Sequence, residues 1–179
     1  MRFLALVLGL VMLAPVARAE DGYDLWLRYK PVEASARAAY AARAAAIAPV
    51  AETPTLKAAR AELERGLTGL VGQPALAAAG SRDGVILLSA GATPAVTGLG
   101  LPLQTLGEEG YLIRTVSVGG KATTVIAANR DIGVLYGVFR YLSLIKTGQS
   151  VDKLDITSVP KVKLRMLNHW DNLDRHVER

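Results

Sequence analysis

Residues 123–146 read TTVIAANRDIGVLYGVFRYLSLIK, and their two halves follow different periods. Thr124 to Ala128 is a short apolar run suited to a strand buried on both faces. Asn129-Arg130-Asp131 interrupts it with residue types that favour turns and helix caps. From Ile132 onward, Ile132, Leu135, Tyr136, Phe139, Leu142 and Ile145 recur at three and four, which predicts a helix with these side chains on its core face. Gly133 and Gly137 stand one turn apart inside it. Glycine in a helix interior costs about 1 kcal/mol relative to alanine, so the pair implies close approach to whatever the helix covers. Neither GxGxxG nor GxxxxGK[ST] occurs here, and a phosphate-binding loop lacks its mechanism. The reading is strand, turn, core helix.

Immediately upstream, Tyr111 to Val118 alternates, and Gly119-Gly120 supplies a two-residue hairpin turn into Ala122 to Ala128. Downstream, Gly148 stops the helix, Leu154 to Thr157 predicts another short strand, and Pro160 marks a boundary. Further out, Val85 to Leu88 reads as a buried strand after Asp83-Gly84. Gly91 to Pro102 reads as a loop with at most one helical turn. Thr53-Pro54 is a cap followed by proline at the first helical position, Leu56, Ala59, Leu63, Leu67 and Leu70 form one apolar stripe, and Gly72 closes the helix. The Glu and Arg residues on its outer face read as a solvated surface. Glu33 to Ala46 is alanine-rich and helical by propensity, with Ile47 to Val50 as a short edge strand. Tyr23 to Tyr29 alternates and reads as a strand ended by Pro31; its Trp26 suits the core better than a sugar-stacking platform. These elements predict an α+β domain, a mixed or antiparallel sheet of four to five strands with helices 55–70 and 131–146 on one face.

The 179 residues allow one domain and the beginning of another. Arg2, the apolar run Phe3 to Leu13 and Ala17-Arg18-Ala19 compose a secretory leader over residues 1–19. The run is short for a permanent membrane anchor. Export to the periplasm or the extracellular space is expected, with no membrane contact after cleavage. There is no cysteine, so neither a disulfide nor a lipid-bearing cysteine can form. The net charge of +5 is mild, includes Arg2 and Arg18, and is not clustered with aromatics, which argues against nucleic acid as a partner. His169 and His176 are seven apart without a third ligand pattern, so neither a metal nor another cofactor is expected. Adjacent Glu108 and Glu109 would not share one face of a helix or strand and read as surface rather than an acid–base pair. Asp171 and Asp174 read as surface or loop-capping residues.

Lys161 to Asn168 predicts a strand with Val162, Leu164 and Met166 on one face, followed by the polar, aromatic-bearing run His169 to Arg175. A strand leading into such a loop is how a (β/α) barrel begins. No helix follows to cover the strand, which implies a fragment or a stop at a domain boundary.

Four blocks resemble the N-terminal domain of α-glucuronidases of glycoside hydrolase family 67. They are Asp21 to Tyr29, Ala61 to Leu67, Ala127 to Gly137 and Asn168 to Asn172, in order and at similar spacing. The resemblance implies an accessory domain over 20–160 and the start of a catalytic (β/α)8 barrel over 161–179. It implies removal of glucuronic acid or its 4-O-methyl ether from xylo-oligosaccharides of glucuronoxylan (aldouronic acids), by an inverting, metal-free mechanism. One carboxylic acid protonates the glycosidic oxygen and one carboxylate activates water. No carboxylate in this sequence matches that pair, so no catalytic residue is assigned. Trp170 matches the family's tryptophan lining the uronic acid pocket, and is the one expected substrate-binding residue; packing at the barrel rim is its alternative. A homodimer through regions absent from the sequence is compatible with the resemblance. Family 20 hexosaminidases have a similar strand and Leu-Tyr-Gly helix, and a stand-alone carbohydrate-binding or scaffolding module is the reading from another class.

Overall fold

The computed structural model describes residues 28–48, 51–72, 76–77 and 82–166. At its centre are β3 (Val85–Ala90), β4 (Tyr111–Val118) and β5 (Lys121–Ala128). β5 pairs antiparallel with β4, Ile113 opposite Ile126, and parallel with β3, Leu88 opposite Ile126. Gly119 and Gly120 make the β4–β5 turn at φ 56° and 78°. Both lie in the left-handed region that a two-residue turn requires to match the twist of its strands.

Period-two alternation divides β5 between two cores. Ile126 and Ala128 face the helices, while Val125 and Ala127 face the opposite side with Leu112, Leu106 and Val96. That second core is roofed by the Gly-, Pro- and Thr-rich segment 91–106, which contains a 3-10 turn at Leu103–Thr105. The expected loop therefore packs against a sheet face through Val96, Leu99 and Leu101. Leucines and valines inside a turn-rich stretch have no period to announce them.

Two helices cover the other face. α1 (Ala34–Arg43) packs at the margin, and α2 (Pro54–Val71) and α3 (Asp131–Lys146) lie side by side across the sheet. α2 follows its reading closely: Thr53 Oγ1 accepts from the Leu56 amide, Pro54 opens the helix, and Gly72 ends it at φ 82°. Leu56, Ala59, Leu63, Leu67 and Leu70 are all buried. Gly66 admits the Leu142 side chain of α3, since a Cβ there would lie 2.6 Å from the Leu142 methyl carbons.

α3 has the expected span but a rotated face. Its buried residues are Gly133, Val134, Gly137, Val138, Tyr141, Leu142, Leu144 and Ile145, whereas Tyr136 and Phe139 are 36% and 39% exposed. The two glycines set the rotation. A Cβ on Gly133 would meet the Gly110 carbonyl oxygen at 2.5 Å, and one on Gly137 would meet Ile126 Cγ2 at 2.5 Å. The helix turns its side-chain-free line onto the sheet, and the aromatics next to that line rotate outward.

Four other expectations are corrected. α1 stops at Arg43 instead of reaching Ala46, because the Ala45 and Ala46 amides donate to the Gly84 carbonyl and capture the chain beside β3. The resulting β1 (Ala46–Ile47) is internal rather than an edge, flanked in parallel by β2 (Leu76–Ala77) and β3. With β6 (Asp155–Ser158) antiparallel to β4, the sheet among the described residues has six strands, not four to five, in the order β2-β1-β3-β5-β4-β6. Finally, residues 161–166 form no strand. No described strand lies beside them to pair with, and an unpaired strand has no ladder to hold it. Val162, Leu164 and Met166 are 60%, 74% and 80% exposed.

Candidate functional site

Trp170, the expected substrate-binding residue, lies outside the described residues, as do Trp26, His169, Asp171, Asp174, His176, residues 167–168, the leader and residues 23–27 of the expected first strand. Arg28 and Tyr29, at the end of that expected strand, are described and form no strand. What the structure describes is the corner from which the chain leaves the sheet after Ser158. Three segments build it: the β5–α3 junction, the loop 103–110 and the exit 158–166.

Asn129 ties the first two together. Its Nδ2 donates to the carbonyls of Leu103 at 2.9 Å and Gly107 at 2.8 Å. An amide NH2 has two hydrogens to give, and here both hold the loop. The α3 N-terminus is left without a side-chain cap, so Asn129 is a brace rather than the expected capping residue. Gly110 lies between the elements: its carbonyl packs on Gly133, and a Cβ on it would collide with the Leu106 carbonyl and approach the Ser158 carbonyl at 2.9 Å.

Glu108 and Glu109 diverge from this loop. Glu108 pairs with Arg130 at 3.6 Å, whereas Glu109 pairs with Arg165 of the exit segment. Arg165 also donates to the Val162 carbonyl at 3.0 Å. The two carboxylates serve separate ion pairs and do not form an acid–base pair, as their adjacency implied. Leu106, Gly107, Val159, Pro160 and Lys163 join them around a cleft of about 340 Å³.

At the opposite margin a cleft of about 620 Å³ is lined by Arg28, Lys30, Glu33, Tyr40 and Lys146 among others. Tyr40 anchors it, its hydroxyl donating to the Gln149 carbonyl at 3.0 Å. Beside it Tyr29 donates to Glu62, and Arg65 both pairs with Glu62 at 2.9 Å and lies 5.5 Å from the Tyr29 ring centroid. Burial, then the hydrogen bond to Glu62, raises the Tyr29 phenol above its ordinary range. This clamp joins the first two blocks of the family pattern. Nothing local foretells it, because the partners are 33 residues apart. Among the described residues no three His, Asp or Glu side chains converge as metal ligands would, and no helix is long and apolar enough to cross a membrane.

A mixed sheet with helices across one face defines an α+β layer domain. Residues 25–141 match the Glycosyl hydrolase family 67 N-terminus, and residues 144–179 match the Glycosyl hydrolase family 67 middle domain. The chain belongs to glycosyl hydrolase family 67. It is 31% identical over 169 residues to the alpha-glucuronidase A of Emericella nidulans, covering 90% of this chain and 19% of that protein. Identity to the probable alpha-glucuronidase A of Aspergillus oryzae is 29% over 181 residues, 99% of this chain and 21% of that protein. The alpha-glucuronidase of Hypocrea jecorina is 28% identical over 178 residues, 94% and 20% respectively. The chain thus spans about a fifth of the length of these relatives.

Proposed function

We propose that this chain is the amino-terminal part of an exported α-glucuronidase that hydrolyses the α-1,2 link between (4-O-methyl)glucuronic acid and xylo-oligosaccharides. The observation that carries the reading is the order of the two family matches, N-terminus then middle domain, beside relatives named as alpha-glucuronidases. Residues 20–160 serve as the accessory domain and 161–179 begin the catalytic barrel. In this reading Trp170 lines the uronic acid pocket, its indole face against the apolar side of the sugar and the methyl ether.

The chemistry is a single displacement. A carboxylic acid protonates the departing glycosidic oxygen, while a carboxylate on the other face of the sugar takes a proton from the attacking water. The two carboxyl groups stand about 6.5–9.5 Å apart to leave room for that water. Neither belongs to residues 1–179, so the chain binds and supports but does not cleave. The test is release of glucuronic acid from aldouronic acids by the product of the complete reading frame and by residues 20–179 alone. Release by the former only is expected. Release by the short chain, or a preference of the long one for N-acetylhexosaminides, overturns the reading.

A further inference from the structure

We propose that the groove along α1 is a binding site for a linear glycan that carries sparse carboxylates. The identity of that glycan, glucuronoxylan, rests on the glucuronidase reading; the site itself rests on the residues of the groove.

The cleft of about 620 Å³ does not stand alone. A second cleft of about 250 Å³ continues it along α1, and the two share Ala36, Tyr40 and Gly148. Together they form an elongated trough, which suits a chain better than a compact ligand. Its walls are preset. On one side the segment before α1 is strapped to α2: the Val32 amide donates to the Leu70 carbonyl at 2.9 Å, and a Cβ on Gly69 would lie 2.5 Å from Tyr29 Cβ. Arg37 Nε holds the Val32 carbonyl from α1, also at 2.9 Å. On the other side the turn after α3 is closed by the Thr147, Gly148 and Gln149 amides, which donate to the Ser143, Ile145 and Leu144 carbonyls. Tyr40 ties the two sides together through the Gln149 carbonyl. A groove already held in shape costs a ligand little ordering.

Its charges are few and unevenly engaged. Lys30 and Lys146 are exposed on its walls and make no ion pair among the described residues. At the other end Arg43 is paired with Asp152 at 2.7 Å, and Asp152 also accepts from Ser150 Oγ at 3.1 Å. Cations therefore await a carboxylate at one end only, while Glu33 and Asp152 disfavour a closely spaced polyanion. Small apolar side chains and exposed backbone between them suit ring faces and hydroxyls. A xylan chain with occasional uronic acid branches has that composition.

Affinity electrophoresis of the product of the complete reading frame, in gels with and without glucuronoxylan, tests this. The wild type should be retarded by glucuronoxylan. Lys30→Glu with Lys146→Glu should raise the apparent Kd about tenfold, the scale of two partly exposed charge contacts reversed. Lys30→Gln with Lys146→Gln, which removes the charges without reversing them, should raise it about threefold. Lys57→Glu with Lys121→Glu changes the net charge as the first pair does, but neither residue lines the trough, and this variant should be retarded like the wild type. Neutral arabinoxylan, and polygalacturonate with its charge on every ring, should each retard the wild type less than glucuronoxylan. Undiminished retardation of both trough variants overturns the proposal, as does equal weakening of the Lys57 and Lys121 variant, or stronger retardation by either of the other two polysaccharides. Failure of the wild type to release glucuronic acid defeats the glucuronidase reading instead, and the comparison of variants still decides whether the trough binds.

Discussion

A methyl group at Gly133 would sit 2.5 Å from the Gly110 carbonyl oxygen and 2.7 Å from Ala128 Cβ, and one at Gly137 would sit 2.5 Å from Ile126 Cγ2. Backbone and β-carbon neighbours cannot swing aside as a flexible side-chain tip can. Gly133→Ala should therefore destabilise the domain by about 1–3 kcal/mol despite alanine's better helix propensity, read from the denaturation midpoint. Asn129→Ala removes both braces of the loop and leaves two carbonyls seeking partners, a loss of about 1–3 kcal/mol. Tyr141 behaves oppositely. Its ring is fully buried while its hydroxyl has no hydrogen-bond partner among the described residues. Burial raises that phenol above its ordinary range. Tyr141→Phe should leave stability unchanged or raise it by up to about 1 kcal/mol, since it removes a desolvated hydroxyl and little else.

Among the elements, α2 rests on a cap and α3 on a fit, and they respond to different changes. Thr53→Ala removes the oxygen that accepts from the Leu56 amide and should cost about 0.5–2 kcal/mol. The same contrast explains what could be read from the chain. Thr53-Pro54, the leucine stripe and Gly72 are local signals that each name a boundary, and α2 came out as they indicated. The Gly119-Gly120 hairpin is equally local. The face of α3 is not, because Tyr136 and Phe139 look like core side chains until the sheet claims the glycine line instead. β1, two residues long, exists only because β3 offers it a partner, and the equally short β2 pairs with β1 in turn. At the corner, Asn129 announces a turn residue but not its contacts with Leu103 and Gly107, and the bond from Glu109 to Arg165 has no local trace. Long-range polar contacts leave no period in a sequence.

For the whole molecule, pH dependence follows from two groups of opposite kind. The Ala122 amide, then nearby Lys121, lowers the Asp83 carboxyl below its ordinary range. A depressed folded-state value contributes stability above the unfolded value that is lost as pH falls through the folded one. Asp83→Asn should flatten the acid side of a stability profile by a small amount, since the carboxylate is exposed. Tyr29 and Tyr141 are raised, so their contribution is complete below their unfolded value and lost as pH rises past it. Thermal midpoints should fall above about pH 10, and less steeply in Tyr141→Phe.

The proposed inverting mechanism yields one sharper observable. Proton NMR during the first minutes of aldouronic acid hydrolysis by the product of the complete reading frame identifies the anomer of the sugar as it is set free. An α-linked substrate attacked once by water must release β-glucuronic acid first, with the α anomer growing in only as the sugar equilibrates. Initial α-glucuronic acid, or no uronic acid at all, would contradict the account.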